Sequence, residues 1–168
     1  KIKESDIIVN IQGDEPMIEP DMVDKVVSIM KDKRASIGTL VKKVGNFSDV
    51  IDPNVVKAVF DKENFALYFS RAPIPFHRDE WKGLEHLIAQ DVSFNVFKHI
   101  GIYAYRKDFL LKFSKLSPTR LEQIERLEQL RALENGFKIK VLEIEKETIG
   151  VDTPEDLKKV EKCLSISS

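Results

Sequence analysis

The sequence predicts an α/β domain: a mixed sheet with helices on both faces and an antiparallel insertion in its middle. Three observations carry this. A short apolar run, Ile7 to Ile11, stops at Gln12-Gly13-Asp14-Glu15-Pro16 and gives way at once to helical spacing. Several runs of strand composition then follow one another, two of them separated by a turn-rich tetrapeptide. The chain closes in the order helix, strand, helix.

Ile7 to Ile11 is apolar and β-branched, and an uninterrupted apolar run bounded by Gly and Pro reads as a strand buried on both faces, as in a parallel sheet. From Asp21 the apolar positions Met22, Val23, Val26, Val27 and Met30 recur with helical period, while Lys25, Lys31 and Asp32 take the other side. Pro20 suits the first helical turn, and Asp21 and Asp24 suit its positive end. Ser36 to Val44 alternates as a strand. Val55 to Asp61 and Phe65 to Ser70 form two more, joined by Asp61-Lys62-Glu63-Asn64 as a hairpin.

Two prolines force Ala72-Pro73-Ile74-Pro75-Phe76 away from a sheet centre, because each removes a backbone donor. Phe76 to Gln90 has no clear period. Val96 to Tyr105 has strand composition and Asp108 to Phe113 reads as a short helix. Thr119 and Glu122 stand at capping-box spacing after Pro118 and open a helix that runs to Asn135-Gly136, where Gly supplies a left-handed cap. Phe137 to Ile144 is a strand. Thr153-Pro154-Glu155-Asp156 starts a last helix through Leu157, Val160 and Leu164.

The composition bounds the class. With 168 residues, 42% hydrophobic and 33% charged, the chain fits one globular domain over residues 1–168 and is neither disordered nor a membrane protein. A net charge of −1 makes no general electrostatic case for nucleic acid. No apolar stretch is long enough to span a bilayer, and Lys1 to Asn10 has no secretory pattern, so a cytoplasmic location is the expectation. The lone Cys163 excludes an internal disulfide and a multi-cysteine metal site. The chain starts at Lys1 and reaches an apolar run within seven residues, so further sequence is expected upstream; a first strand at a processed terminus is the alternative.

Ligands of open α/β sheets sit outside the carboxyl ends of the strands. Asp14, beside Glu15, and Asp152 fall after strand-like segments, and two such carboxylates suit Mg²⁺, a hard cation that shares its coordination with phosphate oxygens. Asp14 equally suits a turn before Pro16, and Asp152 a helix N-terminus. His99 and Tyr103 share one face of a strand, as a polar pocket wall or a half-solvated sheet face. Glu125, Glu128, Gln129 and Arg131 lie on the helix after Pro118, whose apolar side is Leu121, Ile124, Leu127, Leu130 and Leu133. Inward-pointing Glu128 and Gln129 would need partners; a solvated face is the simpler alternative. Arg71 could grip a carboxylate with two hydrogen bonds, or lie on the surface. There is no Gly-rich phosphate loop in the chain.

Six stretches carry a resemblance. Val9-Asn10-Ile11-Gln12-Gly13-Asp14-Glu15-Pro16 resembles the metal-binding segment of 3-deoxy-manno-octulosonate (KDO) cytidylyltransferases. Pro53-Asn54-Val55-Val56-Lys57, then Ala66 to Pro75 with its Tyr-Phe-Ser-Arg-Ala-Pro-Ile-Pro string, are similar to the same family in the same order. So are His99 to Arg106, Leu127-Glu128-Gln129-Leu130-Arg131, and Gly150 to Leu157. The resemblance implies a nucleotidyltransferase-like sheet, a homodimer with contact through Ala72 to Gln90, and formation of CMP-KDO and pyrophosphate from CTP and KDO. It implies Asp14 and Asp152 as catalytic, Mg²⁺-binding residues. Gln12, Arg71, His99, Tyr103, Glu128 and Gln129 would bind substrate. The family's Arg-, Ser-, Gly- and Lys-rich triphosphate loop has no counterpart here, so the chain alone is expected to bind CTP poorly. The competing readings are the same chemistry on an 8-amino or sialic-type sugar acid, and a nucleotidyltransferase-like binding module.

Overall fold

The computed structural model describes residues 6–13, 16, 18–79, 81, 95–146, 157, 158 and 160–162. Strands β1 (Ile7–Ile11), β2 (Ile37–Lys43), β3 (Lys57–Phe60), β4 (Ala66–Ser70), β5 (Phe97–Arg106) and β6 (Ile139–Ile144) form one six-stranded sheet. The path runs β4-β3-β5-β2-β6, with β1 also paired to β5. β5 is antiparallel to β1, β2 and β3, whereas β2 and β6 are parallel. It follows that β1, β2, β3 and β6 all point the same way, and their carboxyl ends share one edge of the sheet.

The expectation that β1 is buried on both faces does not hold. Its first three residues are half-buried, and Asn10 and Ile11 are exposed. Among the described residues β1 has a partner on one edge only, and its neighbour β5 runs antiparallel.

Helix α1 (Pro20–Ile29) covers one face, with Pro20 at its start as expected. Met22, Val26, Ile29 and Met30 pack on Leu40, Ile100, Ile102, Ala104 and Ile144. Gly38 permits that approach: a Cβ there would come within 3.1 Å of the Ile29 Cβ. Arg106 at the end of β5 closes the far end of α1 by donating to the carbonyl oxygens of Met30, Asp32 and Ala35.

Helices α3 (Lys107–Phe113), α4 (Arg120–Glu125) and α5 (Gln129–Glu134) cover the other face. There Phe109, Phe113, Leu127 and Leu130 pack on Ile37, Val41, Phe69, Tyr103, Tyr105 and Val141. A short helix, α2 (Phe47–Ile51), starts where the Asn46 side chain accepts the Asp49 N–H at 2.8 Å. It packs Phe47 and Val50 against Val44, Trp81 and Val96 in a third cluster. The hairpin between β3 and β4 turns as expected: the Asp61 carboxylate accepts the N–H groups of Glu63 and Phe65, and Asn64 takes a φ of 65°.

One expected helix is two. The run after Pro118 breaks at Arg126, which sits in the left-handed region with φ 56°. The break explains the apolar spacing of three. Leu127 and Leu130 are buried, whereas Ile124 is 65% exposed on the outer side of α4. Glu122 supplies its part of the expected capping interaction by accepting the Thr119 N–H at 3.0 Å. Gly136 closes α5 with φ 77°, as its position predicts. Residues 157, 158 and 160–162 are helical. The predicted start of that helix, residues 153–156, and Leu164 lie outside the described residues, as does most of the Phe76 to Gln90 excursion.

Candidate active site

Arg71 follows β4 directly, and the chain around it is pinned from α4. The Glu125 carboxylate accepts the Arg71 N–H at 2.9 Å, the Ser70 hydroxyl at 2.6 Å and the Tyr68 hydroxyl at 3.3 Å. The Ser70 oxygen in turn accepts the Ala72 N–H at 3.0 Å. Burial works against charge on Glu125, but these donors more than offset it and hold its pKa below the ordinary carboxylate value.

The guanidinium of Arg71 is held by main-chain oxygens. Nε donates to the Glu125 carbonyl at 2.8 Å and Nη1 to the Pro53 carbonyl at 2.7 Å. The carbonyl beside it, that of Asp52, accepts Nζ of Lys57 at 2.7 Å. Lys57 is completely buried in β3. Burial, with the nearby Arg71 adding to it and Asp52 opposing it, pushes its pKa down to about 8.

His99 and Tyr103 share a face of β5, as strand alternation predicts, although the ladder to β2 shifts register between Thr39 and Leu40. Thr39 lies opposite Tyr103, and its hydroxyl oxygen is 2.9 Å from His99 Nε2. The His99 ring lies edge-on to Phe69 at 5.3 Å and tilted against Tyr103 at 5.2 Å. His99 keeps some accessible surface, but its ring is deep among these groups, and burial pushes its pKa down to about 4. The imidazole is therefore neutral at physiological pH. Burial also raises the Tyr103 phenol well above its ordinary value, with Tyr105 and Glu128 adding to it, so Tyr103 keeps its proton.

The break at Arg126 sets the remaining side chains. Glu128 immediately precedes α5 and is exposed, with Arg131 Nη2 at 3.2 Å. Gln129 is buried at the start of α5. Arg131 is held mainly by Glu122 and lies over the Phe113 ring. Gln12 is exposed just past β1, two residues after Asn10, which lies opposite Tyr103. The structure thus joins His99 with Tyr103 directly, and Glu128 with both tyrosines through its charge. Arg71 belongs to a separate hydrogen-bonded group with Glu125, Ser70 and the Asp52–Pro53 turn, on the β4 side of the sheet.

Asp14 and Asp152, the expected Mg²⁺ ligands, lie outside the described residues. Among the described residues no group of three or more His, Cys, Asp or Glu side chains could hold a metal ion, and no helix is long and apolar enough to cross a membrane. The β1 strand that leads to Gln12 and the β6 strand upstream of Asp152 point the same way, so both run toward the ligand-binding edge of such sheets.

Two residues of this region, Thr39 and Lys57, escape a reading of sequence alone, and Glu125, placed on its helix by the sequence, has a role that only the structure shows. Lys57 left one usable sign, a lone charge inside the strand run Val55-Val56-Lys57-Ala58-Val59.

The mixed sheet with helices on both faces and polar groups along β4, β5 and α4 is that of an α/β domain of the nucleotidyltransferase class. The cytidylyltransferase family model matches residues 1–144, and the chain belongs to that family. It is 52% identical over 158 residues to a 3-deoxy-manno-octulosonate cytidylyltransferase of Geotalea uraniireducens (strain Rf4), covering 94% of this chain and 63% of that protein. A protein of the same name from Thermodesulfovibrio yellowstonii (strain ATCC 51303 / DSM 11347 / YP87) is 50% identical over 168 residues, covering 99% of this chain and 64% of that one. The fold matches a CMP:2-keto-3-deoxy-manno-octonic acid synthetase solved with CTP at a TM-score of 0.83 and 38% identity, over 97% of this chain and 63% of that one. The chain thus spans somewhat less than two thirds of the length of these relatives.

Proposed function

We propose that the whole protein transfers CMP from CTP to the anomeric hydroxyl of 3-deoxy-manno-octulosonate, giving CMP-KDO and pyrophosphate for lipopolysaccharide synthesis. The observation that carries this reading is the state of Arg71. Its guanidinium is oriented by two main-chain oxygens, and neither bond neutralises its charge. A cation held in that way is prepared for an anionic ligand such as a sugar-acid carboxylate. The identity to cytidylyltransferases named for this sugar acid supports the choice of ligand.

In the proposed reaction the sugar hydroxyl attacks the α-phosphorus in line. The new O–P bond forms as the bond to the β-phosphate bridging oxygen breaks, pyrophosphate leaves, and the hydroxyl proton passes to solvent. Arg71 binds the sugar-acid carboxylate. Neutral His99 and protonated Tyr103 offer hydrogen bonds to its hydroxyls, together with Gln12, Glu128 and Gln129. Asp14 and Asp152 offer carboxylate oxygens suited to Mg²⁺, whose charge when bound offsets that of the phosphates. A homodimer with contact through residues 72–90 and a cytoplasmic location belong to the same proposal.

The test is pyrophosphate release from CTP plus 3-deoxy-manno-octulosonate with Mg²⁺, for this chain and an upstream-extended form side by side. Activity in the extended form supports the reaction. A preference of that form for an 8-amino or sialic-type acid in direct competition overturns the substrate, and no release with any of these acids overturns the reaction.

A further inference from the structure

We infer that Glu125 is a positioning residue for Arg71, its carboxylate fixing the backbone from which the arginine springs and its carbonyl fixing the guanidinium. The inference deepens the reading of Arg71 as the partner of the substrate carboxylate, and its kinetic test rests on that reading.

The local geometry is unusual for a glutamate beside an arginine. The Glu125 carboxylate accepts the Arg71 main-chain N–H at 2.9 Å, while the guanidinium goes to the Glu125 carbonyl at 2.8 Å. A side-chain ion pair would orient Arg71 equally well but would quench the charge the ligand must find. Here the carboxylate oxygens are bonded to the Ser70 and Tyr68 hydroxyls and a backbone amide, and the Arg71 charge acts on them only through space. The arginine head meets carbonyl dipoles instead.

Two local features make this possible. The left-handed turn at Arg126 ends α4, so the Glu125 carbonyl lies outside the helical ladder and is open to Arg71. On the other side, Lys57 holds the Asp52 carbonyl at 2.7 Å and so fixes the adjoining Pro53 carbonyl that accepts Arg71 Nη1. Arg71 is thus gripped at its root by Glu125 and at its head from two sides. Freezing such a side chain before binding removes an ordering cost that the ligand would otherwise meet.

The experiment has two arms. In the upstream-extended protein, Glu125→Ala should raise KM for 3-deoxy-manno-octulosonate roughly tenfold, a change of about 1.4 kcal/mol, with KM for CTP within about twofold of the parent. Glu125→Gln keeps the reach and one acceptor oxygen and should recover part of the loss. Because Glu125 acts through Arg71, the double variant Arg71→Ala/Glu125→Ala should be no worse than Arg71→Ala alone. Additive losses would overturn the inference, as would an unchanged KM in Glu125→Ala.

The second arm needs no turnover. In this chain, solvent exchange of the Arg71 Nε–H, followed by NMR, should be slow in the parent, faster in Glu125→Ala, where the acceptor carbonyl remains but the Arg71 backbone is no longer held, and intermediate in Glu125→Gln. Unchanged protection in both variants overturns the inference. Loss of protection in a protein that turns over no sugar acid supports the positioning role and removes the proposed reaction instead.

Discussion

The Thr39 hydroxyl oxygen lies 2.9 Å from Nε2 of His99, so the proton of the threonine and that of the imidazole are coupled. Thr39 is completely buried, and its single hydroxyl proton is directed to the Ile102 carbonyl at 2.8 Å, with the Ile100 carbonyl at 3.3 Å. With its one proton given to the Ile102 carbonyl, the threonine oxygen accepts from the ring, an arrangement that puts the ring proton on Nε2 rather than Nδ1. The shift in the β2–β5 ladder between Thr39 and Leu40 is what brings the two β5 carbonyls and the His99 ring to one hydroxyl.

Thr39→Val removes the acceptor at nearly constant volume. Nitrogen NMR of the His99 ring should show the Nε2–H tautomer alone in the parent and a mixture of both tautomers in the variant. The variant should also lose about 1–3 kcal/mol of stability, because the ring N–H is left without its partner. A parent ring protonated on Nδ1 would refute the assignment.

The buried ring makes stability depend on acid. Burial lowers the His99 pKa from 6.5 to about 4, so between these values the unfolded chain binds a proton that the folded chain does not. The contribution is fully present above pH 6.5, is lost as pH falls from 6.5 toward 4, and stays constant below. Each tenfold change in proton affinity is worth about 1.4 kcal/mol and the ring is partly accessible, so the loss is of order 1–3 kcal/mol. Urea unfolding at neutral and acidic pH measures it against His99→Gln, which shares every other titrating group. An identical acid slope in the two proteins would contradict the burial argument.

Lys57 behaves in the opposite sense to a surface lysine. Its pKa falls from 10.5 to about 8, so its charged form opposes folding below pH 8, and stability rises as pH climbs from 8 toward 10.5. Lys57→Met removes the buried charge and fills similar space, and is expected to gain roughly 1–4 kcal/mol near neutral pH. It should also abolish the alkaline rise. The accompanying loss should appear in ligand binding, because the Asp52 carbonyl keeps the Val55 N–H at 3.2 Å but loses its shorter bond to Lys57. Thermal unfolding of parent and variant at neutral and alkaline pH decides the matter. A clear loss of stability in Lys57→Met at neutral pH would mean that the bond to Asp52 outweighs the desolvation of the charge.

The contrast between what the sequence disclosed and what it hid follows from the range of each interaction. Pro20, the Asp61 turn and Gly136 act within a few residues of themselves, and each stands where its local chemistry places it. The pairing of His99 with Tyr103 was legible because strand alternation is also local. The break at Arg126 was not, since nothing in Leu121-Glu122-Gln123-Ile124-Glu125-Arg126 disfavours a helix. The turn is made where two hydroxyls of β4 and the Arg71 N–H just after it are offered to Glu125, more than fifty residues away in the chain. Thr39 was hidden because its partners are carbonyls and a ring set by sheet register, and Lys57 because its partner is a main-chain carbonyl, which no side-chain pattern encodes.

The metal reading of Asp14 and Asp152 yields a prediction that separates charge from shape. Asparagine has the size of aspartate but no negative charge, so Asp14→Asn and Asp152→Asn in the upstream-extended protein should leave the fold intact and weaken Mg²⁺ binding. If these carboxylates hold charge that matters mainly in the transition state, turnover should fall by ~10²-fold or more, with Tm little changed. Raising Mg²⁺ should recover part of the activity in each variant, because a weakened site fills at higher concentration. Titration of Mg²⁺ alone, followed by calorimetry, gives a readout independent of the reaction. Near-normal turnover and unchanged Mg²⁺ affinity in both variants would return Asp14 to a turn role before Pro16 and Asp152 to the N-terminus of the last helix.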